Sequence, residues 1–127
     1  MAYNPAVTEE SGFTIRDPDD LERSGRWLLA RRSIGLKSFG MNVVEIEPGD
    51  RIPEHDETER DQEEVFIVLS GEATIVVDGE EHAAPAGTFA RVDPPHLRTV
   101  VNTGGEVASV LIISAPTTSG FQPDTWN

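Results

Sequence analysis

From Ser38 onward the chain alternates. Phe39, Met41, Val43 and Glu45 fall on one side of an extended segment, and Asn42, Val44 and Ile46 fall on the other. Side chains alternate across a strand with period two, so this pattern predicts a strand with one buried face. Residues 96–102 alternate again, and shorter or wholly apolar strand-like runs lie at 65–69, 73–77, 82–84, 89–92 and 107–114. Turn residues separate these runs: Glu47-Pro48-Gly49-Asp50, Ser70-Gly71-Glu72, Pro85-Ala86-Gly87, Asp93-Pro94-Pro95 and Thr103-Gly104-Gly105-Glu106. Asp78-Gly79, set between valine and glutamate, is a two-residue hairpin signal because both positions tolerate positive φ. Short strands punctuated every eight to twelve residues predict an all-β sandwich or barrel. No long helical period interrupts them, which argues against a parallel α/β sheet.

Outside this core the pattern weakens. Residues 1–22 are polar and acidic and contain Pro5 and Pro18. They read as an N-terminal arm with one short strand at Phe13-Thr14-Ile15, either loosely held or added to the sheet edge of a partner. The run from Ser24 to Arg32 predicts a short helix capped by Ser24 and ended by Gly35, with Trp27 and Arg31 on one face. Such a helix would plug an open end or edge of the sheets. The tail, residues 115–127, carries Phe121 and Trp126 as expected anchors. Residues 23–127 are therefore expected to form one domain with its core at about 37–115. Ile52, Phe66, Val68, Val76, Phe89 and Leu111 are its candidate interior residues.

Composition narrows the function classes. The 127 residues suffice for one domain, and 37% are hydrophobic. Cysteine is absent, which excludes disulfides, thiolate metal sites and a cysteine nucleophile. Any metal must be held by imidazole and carboxylate. The net charge of −13 makes a phosphate backbone or an anionic membrane a poor partner. Residues 1–11 lack the basic start and apolar core of a signal peptide, so a cytoplasmic location is the expectation.

Candidate chemistry concentrates in GDRIPEHDETERDQEEVFIVLSG, residues 49–71. On a strand His55 and Glu57 project together, and Glu64 opens the next apolar run, from which it can reach the same place. One imidazole and two carboxylates are the raw material of a metal or polar-ligand site. Asp56, Glu59, Arg60, Asp61 and Glu63 read as a solvated loop or as a rim over the site.

This stretch resembles the first motif of the cupin family: glycine, five residues, His-x-His, a gap, Glu, six residues, glycine. Gly49, His55, Glu64 and Gly71 match it, Glu57 replaces the second histidine, and residues 58–63 lengthen the gap. The second motif is matched by Gly79, Pro85-Ala86-Gly87, the Pro94-Pro95 turn and Asn102. The family's histidine, four residues before that asparagine, is Arg98 here, with His96 two residues earlier. The resemblance covers residues 37–115. It implies a cupin double-stranded β-helix, a jelly-roll barrel, with a small-molecule pocket inside and a homodimer in which the arm is exchanged.

Two models of the interior follow. In one, His55, Glu57, Glu64 and His96 hold Fe, Mn, Ni or Zn. Glu57 or Glu64 then acts as ligand or general base in an oxygenase or isomerase of a small polar substrate. In the other, Arg98 neutralises the carboxylates, no metal binds, and the pocket receives a small anionic or sugar-like ligand with Arg98 and Phe66 in contact with it. A plain structural role stands beside both: His55 capping a turn and Glu64–Arg98 satisfying the interior. No nucleophile with an adjacent base is present, which argues against covalent hydrolysis.

Overall fold

The computed structural model describes residues 12–127. The described residues form nine strands: β1 (Arg23–Ser24), β2 (Trp27–Leu28), β3 (Gly40–Ile46), β4 (Gln62–Ser70), β5 (Glu72–Val77), β6 (Glu80–Pro85), β7 (Phe89–Val92), β8 (Arg98–Asn102) and β9 (Ala108–Pro116), of which β3 to β9 answer to the seven expected runs. One helix, α1 (Ala30–Ile34), and a 3-10 turn at Pro18–Asp20 complete the elements. Six strands form an antiparallel sheet in the order β1-β2-β3-β9-β4-β7, and three form a second in the order β6-β5-β8. Residues 51–55 run along the open edge of β8 through bridges at Arg51–Val101 and His55–Arg98. Among the described residues the two sheets are not joined into a closed barrel.

One core lies between the sheets. Val44, Ile46, Phe66, Val68, Val92 and Val110 enter it from the larger sheet, and Ala73, Ile75, Ala84 and Val100 enter from the smaller. The period-two expectation therefore holds for β3, where Val44 and Ile46 point inward. Ile52, Phe66 and Val68 are interior as expected. In β5 and β9 the parity is the opposite of the expected one, since Ile75 and Val110 are buried rather than Val76 and Leu111. Phe89 is 73% exposed because it sits outward beside Ile67.

The predicted helix over residues 24–32 is corrected. Gly25, at φ 57°, turns the chain so that Ser24 pairs with Trp27 and Arg23 with Leu28, a two-residue hairpin. Trp27 then lies against Val44 at the sheet edge. The helix begins only at Ala30, and Gly35 ends it in the left-handed conformation, as expected, at φ 71°. Residues 13–15 form no strand, and residues 1–11 of the expected arm lie outside the described residues. Phe121 and Trp126 are 68% and 82% exposed, so they do not anchor the tail. The Asp78-Gly79 hairpin is present, with both residues at positive φ and Val77 paired to Glu80. Among the described residues no helix is long and apolar enough to cross a membrane.

The outward face of the larger sheet carries one apolar row, flanked on the same face by the exposed pairs Arg23–Glu45 and Arg91–Glu63. Register places Leu28, Val43, Leu111, Ile67 and Phe89 in one continuous row across five strands. Leu28, Val43, Leu111 and Ile67 are only partly covered.

The turn between β4 and β5 depends on Gly71, at φ 83°, where a Cβ would stand 2.9 Å from the Ala108 Cα. The left-handed strain and the clash with backbone act together. Gly71→Ala should lower stability by more than about 2 kcal/mol, read as a shift of the urea midpoint.

Candidate functional site

His55 owes its position to Arg98. Their backbones exchange two hydrogen bonds, His55 N–H to Arg98 O at 3.1 Å and Arg98 N–H to His55 O at 2.8 Å. Residues paired this way project to the same side, so both side chains enter the space between the sheets. Glu64 meets them from β4 in the facing sheet. Arg98 Nη1 donates to Glu64 Oε1 at 2.6 Å, and His55 Nε2 lies 3.4 Å from the same oxygen. Glu57 completes the group, its Oε1 3.2 Å from His55 Nε2. Its backbone N–H donates to Pro94 O at 2.9 Å, which ties this segment to the turn before β8.

The orientation of the imidazole is fixed from behind. His55 Nδ1 is 2.9 Å from Pro53 O, an acceptor only, so Nδ1 carries the proton and donates it. Nε2 is left facing two carboxylates. A lone pair aimed at two anionic oxygens is unfavourable, and a cation between them relieves it, whether a proton on Nε2 or a metal ion. Ligand atoms of His55, Glu57 and Glu64 all lie within 4.8 Å of one another. A backbone carbonyl behind the distal imidazole nitrogen is the usual support of a metal-binding histidine. The residues present therefore fit a divalent ion.

A cavity of about 400 Å³ opens over this cluster. Trp27, Ile52 and Ile112 supply apolar wall, Asn42 and Ser114 polar wall, and Arg60 lines the same cavity as Glu57. The sequence placed Trp27 on a helix face and Arg60 in a solvated loop or rim, and neither was expected as a cavity residue in its own right. Trp27 was hidden by the helical spacing of its neighbours, and Arg60 by an acidic loop. Asn42 was legible, since it shares parity with Val44 and Ile46.

Three expected site residues are placed elsewhere. His96 does not join the cluster. It lies in the turn before β8, where strand parity does not apply, and its Nδ1 is 2.6 Å from Asp78 Oδ2 at the surface. That contact and the Leu97 N–H hold the Asp78 carboxyl below its usual range. Phe66 is fully buried in the core and does not line the cavity, being one inward step beyond Glu64 on β4. Arg98 is also fully buried, and its donors go to Glu64, to His96 O at 2.9 Å, to Asp93 O at 2.5 Å and to Pro94 O at 3.4 Å. It pairs with Glu64, as the metal-free model expects, but it cannot touch a ligand.

Two facing antiparallel sheets with an imidazole–carboxylate cluster between them define a small β-domain built around an internal polar cluster and its cavity. The chain belongs to the cupin family: the Cupin domain model matches residues 42–114. Among solved structures, a cupin protein from Bacteroides fragilis is 20% identical, with a TM-score of 0.69 over 88% of this chain and 94% of that one. A sugar phosphate isomerase from a cupin superfamily, from Silicibacter pomeroyi, is 26% identical, with a TM-score of 0.67 over 80% and 74% of the two chains. A predicted oxalate decarboxylase from Thermotoga maritima is 16% identical, with a TM-score of 0.68 over 81% and 99%. No protein in the curated set matches the chain.

Removing one member of a buried ion pair strands the other in a low-dielectric interior. Arg98→Met should therefore cost about 3–5 kcal/mol in chemical denaturation. Pairing it with Glu64→Leu should recover part of that loss.

Proposed function

We propose that this cupin holds one divalent metal ion on His55, Glu57 and Glu64 and acts on a small polar molecule in the adjoining cavity. The observation that carries the reading is the fixed imidazole: Pro53 O occupies Nδ1, and Nε2 is directed at two carboxylates. One nitrogen and two carboxylate groups suit Fe, Mn, Ni or Zn, and the oxygen-rich set favours Mn or Fe over Ni. Three protein ligands leave positions for a substrate. Such an ion, when bound, supplies Lewis acidity toward a carbonyl or hydroxyl oxygen. Glu64, held by Arg98, is the fixed ligand. Glu57, on a loop and without a cationic partner beyond His55, is the looser ligand, and its second carboxylate oxygen is the candidate general base. Proton transfer beside a polarised oxygen is isomerase chemistry, in keeping with the activity named for the Silicibacter protein; an oxygenase would use the same open positions. The double-stranded β-helix of the family supplies the interior that encloses the substrate.

A second reading rests on the same distances. With a proton on Nε2, His55 bridges Glu57 and Glu64 by itself, and the cavity is a metal-free binding site for a small anionic or sugar-like molecule. Elemental analysis of untagged protein separates the two. Near-stoichiometric metal that is lost in His55→Ala and reduced in Glu57→Gln is the expected result. Protein that carries no metal and ignores added Fe, Mn, Ni or Zn would establish the second reading.

The homodimer is proposed to form through the apolar outer row of the larger sheet. Strand spacing and rise give the face formed by β3, β9, β4 and β7 on the order of 500 Å² of projected area. Corrugation and the groove at Phe39, Ile113 and Phe121 beside it bring this toward the ~800 Å² per partner of a standard interface. No charge interrupts the row, so a second acidic copy can approach there with least repulsion. Light scattering should give twice the chain mass for the native protein and the monomer mass for Ile67→Lys. A monomeric native protein would remove the proposal.

A further inference from the structure

We infer that Arg60 is the group that selects the ligand, binding its anionic end while the other end meets His55, Glu57 and Glu64. The inference rests on the metal reading above. Among the described residues, cationic side chains nearly all have partners. Arg23 meets Glu45, Arg32 meets Glu22, Arg91 meets Glu63 and Asp93, and Arg98 meets Glu64. Arg26 meets Asp50 and Arg51 O, Arg31 meets Leu36 O, and Arg16 meets Ser33 O. Lys37 is also engaged. Arg51 and Arg60 are left without a hydrogen bond or ion pair from the guanidinium, and of these two only Arg60 lines the cavity.

Its lack of a partner is unexpected in this loop, where carboxylates surround it in sequence. The structure commits most of them elsewhere. Asp56 accepts from Thr58 N–H at 3.1 Å. Glu57 faces His55, and Glu63 lies 3.4 Å from Arg91. Asp61 accepts from the Thr117 hydroxyl, and its carbonyl accepts from Thr117 N–H at 2.9 Å.

The loop is also closed on itself. Gln62 N–H donates to Glu57 O at 3.3 Å and Asp61 N–H to Thr58 O at 3.3 Å, with Asp61 at φ 53°. The same turn therefore carries Glu57 into the cluster and Arg60 to the cavity, and the segment 58–63 that lengthens the gap before Glu64 supplies it. A guanidinium with five free donors recognises a carboxylate or phosphate in two-point fashion. Its charge also offsets the repulsion that a −13 protein exerts on an anion. Trp27, Ile52 and Ile112 form the wall of the same cavity. They suit a short apolar middle, so the ligand class is a small organic acid or phosphate ester with a second oxygen function.

The test uses the whole chain loaded with zinc, with succinate and inorganic phosphate as anionic probes and succinamide as the neutral control. The indole N–H signal of Trp27 reports cavity occupancy, and that of exposed Trp126 is the internal reference. Succinate or phosphate should shift Trp27 saturably, and succinamide should not. Arg60→Gln should weaken binding at least tenfold with unchanged zinc content. Arg51→Gln, with the same loss of charge, should leave binding as it is. Equal binding by Arg60→Gln, equal losses in both variants, or no Trp27 shift by either anion in zinc-loaded protein would overturn the role of Arg60 alone. Native protein that takes up neither zinc nor Fe, Mn or Ni would overturn the metal reading and this inference together.

Discussion

The fold and the site both depend on one buried ion pair, Arg98 with Glu64. A guanidinium with no solvent exposure is expensive to desolvate, and it is tolerated only when its donors are matched. Here four acceptors match it: a carboxylate on the opposite sheet, and the carbonyls of Asp93, Pro94 and His96 in the turn that leads into β8. The side chain therefore crosses the core and fixes the incoming turn at the same time. It contributes specificity of arrangement more than net stability, because an apolar replacement of both partners forfeits little while loss of one is severe.

The same residue organises the cluster. Through its backbone Arg98 sets where His55 sits, and through its guanidinium it sets where Glu64 Oε1 points. Glu57 is placed by a third contact to the same region, its N–H on Pro94 O. Two sheets that share no strand pairing thus deliver three ligand-type atoms to one point. Precision of this kind needs rigid links between the sheets, and the ion pair is one of them, beside the bond from the Asn102 amide to Ile46 O at 2.7 Å.

Much of this was legible from residue pattern. Alternation and short apolar runs bounded by turns located the strands from β3 to β9, and positive-φ residue types located the Asp78-Gly79 hairpin. His55, Glu57 and Glu64 do meet, but strand parity is not the reason: His55 makes an isolated bridge and Glu57 lies on a loop held by Pro94 O. The failures have specific causes. Trp27, Leu28 and Arg31 are good helix formers at helical spacing, yet Gly25 in a left-handed turn commits the chain to a hairpin first. Parity extrapolated back to His96 failed because β8 starts at Arg98 and the residues before it belong to a proline turn. Val76 and Leu111 are as apolar as Ile75 and Val110, so composition could not choose between the two faces of β5 and β9. The outward row of the larger sheet is apolar as well, which erased the contrast on which that choice depends.

The departures from the family's ligand pattern make sense as one coupled change. Two histidines and a glutamate beside a third histidine present a charge of −1 to an incoming ion. Here Glu57 stands for one histidine and Arg98 for another, so two carboxylates and a guanidinium again sum to −1. The attraction for a divalent cation is thereby preserved while one ligand is withdrawn into a structural role. Had Glu57 arisen alone, two carboxylates beside two neutral imidazoles would repel each other in the free protein with no fixed cation to offset them. Had Arg98 arisen alone, the remaining carboxylate would be neutralised and the cation disfavoured. Each departure offsets the electrostatic consequence of the other, and the cluster keeps the net charge of the family's pattern with fewer ligand-type groups.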